Sequence, residues 1–200
     1  MFKFILSILK VLLAIILLPI TIGISRTFFH HLIVYSDAFA TTFVYGAVLF
    51  VFIFLFLYQF WGFFELGHKV LSNLLQFTSP LDKWLAYATP IFTILVLLIF
   101  YIVRVLIKDQ SMDHQFSLLA GFTAAMHILV LAQELQNQEK TPLKPTYLLA
   151  INLIYLYNIL LIVLLLDLVF QKWTFPGFVQ ACTQDVINSW DWLRKMVGLA

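Results

Sequence analysis

Five long apolar runs, parted by short polar breaks, fill most of this chain, and few folds can accept them. They cover residues 4–24, 43–63, 85–107, 116–135 and 147–170. Each is close to the roughly 20 apolar residues that carry a helix across the hydrocarbon core of a bilayer. A water-soluble domain of 200 residues has no interior large enough to hide them. The expected fold is all-α: a polytopic integral membrane bundle of about five transmembrane helices over residues 1–172. An amphipathic interfacial helix is expected in the tail, 173–200.

Composition agrees and excludes several classes. The chain is 62% hydrophobic and 11% charged, against about 25% charged residues in soluble domains. No polar stretch is long enough for a separate catalytic domain. A formal charge of +2 without a basic stripe implies no nucleic-acid partner. The single cysteine, Cys182, rules out an intrachain disulfide and a Cys-rich metal framework. The first run has the basic start of a signal peptide, Lys3. Lys10 interrupts it and no A-x-A-like site follows before residue 24, so a retained membrane helix is expected.

Five crossings put the N-terminus and the 64–84 and 136–146 loops on one face, side A. The 25–42 and 108–115 loops and the tail fall on side B. Each side carries six Lys or Arg. Setting aside Arg194 and Lys195, beyond the roughly 15–20 residues from a membrane end that govern orientation, leaves six against four and favours side A as cytoplasmic. Trp61 and Trp84 mark the headgroup level on side A, and Trp173 marks it on side B.

Pro176 and Gly177 interrupt the chain after the fifth run. Beyond them Val179, Cys182, Val186, Trp190, Leu193 and Val197 recur at spacings of three and four, with polar residues between. This is an amphipathic helix, to be placed along the side B interface or packed as a cap on the bundle or on a partner subunit. The second run is phenylalanine-rich: eight of the 22 residues 43–64 are Phe. Phe50, Phe52, Phe54 and Phe56 alternate, which spreads rings around a helix; either an acyl or isoprenoid groove or a lipid-facing helix would use them. In the fourth run Ser117, Gly121 and Ala125 form a small-residue row beside Ala120 and Ala124, suited to close helix contact. Pro19 and Pro90 should kink the first and third helices unless they lie in a first turn.

Polar groups inside membrane spans are costly without partners, and each is a functional candidate. Here they are Glu65, His68, His127, Glu134, Asn152, Asn158 and Asp167. His127 is expected roughly 12 Å from side A, at 1.5 Å per residue. Glu65 and His68 share a helix face at i, i+3. Glu65, His68, His127, Glu134 and Asn152 are thus expected to converge on side A as a polar intramembrane cluster. Asp167 lies at the opposite end and should pair near Lys172 or snorkel. Asn152 and Asn158, with Tyr155 and Tyr157, fit interhelical hydrogen bonding.

The sequence Phe64-Glu65-Leu66-Gly67-His68 follows an apolar run and resembles the H-E-x-G-H box of site-2-type intramembrane metalloproteases. The resemblance implies Glu65 as general base and His68 as the one matching zinc ligand; His127 is a metal candidate from its place in the polar cluster, not from the motif. Thr89-Pro90-Ile91-Phe92-Thr93 is faintly similar to that family's G-P-x-x-N. Phe64 stands where the first zinc-binding histidine belongs, and no N-x-x-P-x-x-L-D-G segment supplies a third ligand. A haem pair would require His68 and His127 at matching depth on facing helices.

Three functions follow as expectations. The first is a non-enzymatic integral subunit of a larger membrane assembly, for transport or envelope maintenance in a bacterial inner membrane. It takes no cofactor, and its partners are the lipid bilayer and other membrane subunits. The second is an intramembrane enzyme, or a degenerate relative of the metalloproteases, with zinc and Glu65, His68 and His127. The third is a small transporter or channel lined by His127, Asn152 and Glu134.

Overall fold

The computed structural model describes residues 2–57, 88–108, 110–138, 144–196 and 198, and among these it contains helices and no strand. The helices are α1 (Phe2–Tyr35), α2 (Asp37–Leu57), α3 (Ile91–Tyr101), α4 (Asp113–Gln138), α5 (Pro145–Phe170) and α6 (Phe175–Met196). α3 continues into one π turn, Ile102–Leu106. Four segments are long and apolar enough to cross a membrane: Ile5–Tyr35, Asp37–Phe56, Asp113–Asn137 and Pro145–Phe170. The fifth, Ile91–Leu106, is shorter.

Two helix ends depart from the expected ones. The 25–42 segment is not a loop, because α1 runs unbroken through Pro19 to Tyr35 and only Ser36 parts it from α2. The Ser36 carbonyl accepts the Ala40 N–H at 2.9 Å and opens the new helix. Arg26, His30 and His31 lie within this segment. They remain helical because α6 and its approach lie along this part of α1: Thr27 donates to Asp185 at 2.8 Å, and His31 meets Thr174 at 2.8 Å. Pro90 does not kink a continuous helix either; it stands directly before α3 at φ −80°, ψ 74°.

The helices alternate in direction. α1 and α5 run side by side from side A to side B, joined by Lys10 to Thr146, Thr21 to Asn152, Ser25 to Tyr155 and Tyr35 to Asp167. α2 and α4 run together the other way. Their contact is backbone against backbone: a Cβ on Gly46 would collide with the Leu118 oxygen, and one on Gly121 with the Phe43 oxygen. Ser117 Oγ donates to the Phe39 carbonyl at 2.6 Å in the same seam. The small-residue row therefore does what its spacing suggested, with Gly46 as its counterpart.

Rings from three helices fill the side B half of the core. Phe39 stacks on Phe100 at a centroid distance of 6.2 Å, and Phe100 stacks on Phe116 at 5.1 Å. On α2, Phe43 and Phe50 are buried, whereas Phe52 and Phe56 point outward. The alternating phenylalanines thus divide between core and lipid face.

α6 is amphipathic and lies on the bundle, the second placement its pattern allowed. Phe178 and Cys182 are buried. A Cβ on Gly23 would meet the Val186 backbone at 2.7 Å, so the α1 and α6 backbones nearly touch there. Contacts step from His31 with Phe178 to Thr27 with Asp185 to Gly23 with Val186. α6 therefore runs antiparallel to α1, back toward side A.

Candidate functional site at the helix break

Proline lacks an N–H, and the residue before it avoids helical geometry. At Thr89 and Pro90 the chain accordingly leaves the helix, with the Ile91 N–H turning back to the Thr89 carbonyl at 2.9 Å. The Ala88 carbonyl faces two side chains from other helices. Asn158 Nδ2 on α5 donates to it at 2.9 Å, and His127 Nε2 on α4 approaches at 3.2 Å. A carbonyl only accepts, so His127 carries its proton on Nε2. Irregular backbone at membrane depth requires such substitutes for its lost helical bonds.

This polar centre is deep. His127 stands 14 residues from Asp113 and 11 from Gln138, and Asn158 stands 13 from Pro145 and 12 from Phe170. Each is therefore roughly 16–21 Å from either end of its helix, at 1.5 Å per residue. His127 is deeper than its sequence position suggested because α4 continues to Gln138. Exposure is 6% for His127 and 3% for Asn158. Asn158 also donates to the Ile154 carbonyl at 2.8 Å, while its Oδ1 has no partner among the described residues. Thr93, in the first turn of α3, is fully buried and its Oγ1 has none either. Among the described residues, two buried oxygens are left over at the break.

Three residues of the expected cluster, His127, Glu134 and Asn152, lie among the described residues. His127 meets Asn158 rather than Asn152. Asn152 faces α1, accepting from Thr21 Oγ1 at 2.9 Å and donating to the Leu148 carbonyl at 2.7 Å. Glu134 is partly buried on α4, seven residues toward side A from His127. Glu65 and His68 lie outside the described residues, as do Phe64, Trp61 and Trp84. Among the described residues, no three His, Cys, Asp or Glu side chains form a group that could hold a metal. A backbone carbonyl cannot be read as special from side-chain types, and Pro90 was the one sequence signal pointing to Ala88.

A second polar centre lies on side B. Asp167 is 3% exposed and does not pair with Lys172. Its Oδ1 accepts from Tyr35 at 2.8 Å and from the Thr174 hydroxyl at 2.5 Å. Its Oδ2 accepts the backbone N–H groups of Thr174 and Phe175, each at 2.9 Å. Because the Thr174 hydroxyl proton goes to Asp167, its oxygen accepts from His31 Nε2. Lys172 instead donates to the Val34 carbonyl at 2.8 Å. The reason is local: Gln171 takes φ 52°, turning the chain so that the first N–H groups of α6 meet the carboxylate. A helix N-terminus is where an anion is most favourable. Asp167 thereby ties α1, α5 and α6 together.

No family model, curated protein or solved structure matches the chain, so a functional reading has these two centres and the exposed faces to draw on.

Proposed function

We propose that the chain is a non-enzymatic integral subunit of a larger membrane assembly, serving transport or envelope maintenance in a bacterial inner membrane with side A cytoplasmic. The outward stripe of α6 carries this reading. Gln180, Gln184, Asn188 and Asp191 are exposed along it. Gln180 lies near the side B end of α1, where Phe178 meets His31, while Asn188 and Asp191 lie beside its middle, since Val186 meets Gly23, twelve residues short of Tyr35. That is about 18 Å from the side B end of α1. Arg26 and His30, exposed on the stripe of α1 next to the α6 contact, extend the polar surface. Polar side chains facing hydrocarbon at such depth are costly unless another chain or water receives them. A neighbouring subunit with polar side chains supplies that partner.

Gentle detergent extraction of the intact chain and of a variant lacking residues 176–200 tests the proposal. The intact chain should co-purify with other membrane proteins, and the variant should lose them while staying in the membrane. A monodisperse intact chain without companions would refute the reading.

A second reading, a small transporter or channel, is favoured by the break at Ala88. Interrupted helices near the bilayer midplane can present backbone carbonyls and helix ends to a substrate or ion. The metalloprotease-like reading rests on Glu65 and His68. Stoichiometric zinc binding, lost together with function in His68→Ala, would replace the subunit reading with it.

A further inference from the structure

On side B, beside the turn at Gln171, the ends of α3 and α5 border a cleft of about 450 Å³. That is within the roughly 300–1,000 Å³ usual for small-ligand sites. Arg104, Lys108, Gln110 and Gln171 line it, over Val105, Val169 and Phe170. Among the described residues the lining holds two cations, two amides and no carboxylate. Arg104 is held by an ion pair with Asp113 and by stacking 4.3 Å above the Phe170 ring. Only Nη1 is used on Asp113, and a guanidinium offers five N–H donors in all. Lys108 is exposed and sits at φ 62°.

The surroundings of the cleft decide what it receives. Leu106 and Ile107, directly before Lys108, are each 65% exposed, and Leu168 is 51% exposed beside Val169. Trp173, 74% exposed, stands just past the end of α5, at the level where indoles meet headgroups. The cationic cleft thus lies at the membrane surface with a bare apolar wall beside it. A free anion would use only the cleft, whereas a phospholipid would use both. The π turn that ends α3 contains Arg104, and such one-turn insertions often mark functional positions.

We infer that this cleft binds the headgroup of an anionic phospholipid, with its phosphate against Arg104 and Lys108 and its acyl chains along Leu106 and Leu168. Gln110 and Gln171 supply amide donors to the remaining headgroup oxygens. Guanidinium geometry suits a phosphate, and each cation close to an anionic lipid strengthens its hold by about fivefold.

Native mass spectrometry of the intact protein in detergent tests this, with phosphatidylglycerol and phosphatidylcholine of identical chains added in turn. One phosphatidylglycerol should be retained in clear preference to phosphatidylcholine. Lys108→Asn, which tolerates the left-handed backbone there, should weaken retention by about fivefold, and Lys108→Arg should restore it. Equal retention of the two lipids, or undiminished retention in Lys108→Asn, overturns the inference. So does loss of the lipid on adding millimolar inorganic phosphate, which would show that the cleft takes a free anion instead.

Discussion

The two polar centres of this bundle are built on opposite terms. Around Asp167 both carboxylate oxygens accept two hydrogen bonds each, and the donors come from a tyrosine, a threonine and the first turn of α6. Around Ala88 two donors share one carbonyl, while the oxygens of Asn158 and Thr93 have no partner among the described residues. Saturated buried networks fix one packing, and incompletely satisfied ones mark places kept for something other than stability. The side B centre is a structural knot, and the break leaves two buried oxygens without a partner among the described residues.

The largest effect is expected at Asp167. Asp167→Ala strands two hydroxyls and two backbone N–H groups, and stranded buried groups cost about 1–3 kcal/mol each, so roughly 4 kcal/mol or more of stability should go. The thiol of Cys182 reports on the loss. It is buried on the face of α6 turned toward α1, and that burial pushes it above the usual thiol range. Maleimide labelling should be slow in the native protein, faster as pH rises because only the thiolate reacts, and fast at neutral pH in Asp167→Ala. Slow labelling in that variant would mean that α6 does not depend on the knot.

At the break the effects should be smaller. His127→Leu combined with Asn158→Leu removes both donors from the Ala88 carbonyl and should cost about 1–3 kcal/mol in a detergent unfolding series. Either substitution alone leaves one donor in place and should cost about 0.6 kcal/mol, the average for interhelical bonds in membranes. The double variant should therefore exceed the sum of the singles. Thr93→Val removes an oxygen that has no partner, and it should be neutral or raise the melting temperature slightly. A loss of transport or growth phenotype in Thr93→Val without lost stability would turn the break from a packing detail into a working site.

The sequence made the broad architecture legible because hydrocarbon leaves few options. Apolar length, the small row at Ser117, Gly121 and Ala125, and the amphipathic period of the tail each impose a geometry on their own. What stayed hidden depends on partners far along the chain. Asp167 looked like a surface anion beside Lys172, because nothing local shows Tyr35 and the start of α6 closing over it. His30 and His31 read as a loop because the helix that borders them comes about 150 residues later. The break was half visible: Pro90 announced a disturbance, but which side chains would answer the Ala88 carbonyl depended on how α4 and α5 pack.

The backbone seam between α2 and α4 bears on how the protein is made. The two helices run in the same direction, so they cannot form as a hairpin, and Phe39 and Ser117 are 78 residues apart. At roughly 5–20 residues per second, synthesis leaves α2 in the bilayer for about 4–16 s before its partner exists. Through that interval the surface around Gly46 is covered only by lipid or by some attendant protein. Slowing translation between the two helices would lengthen its exposure, and any quality-control protease that reads unpaired membrane helices would find its substrate there.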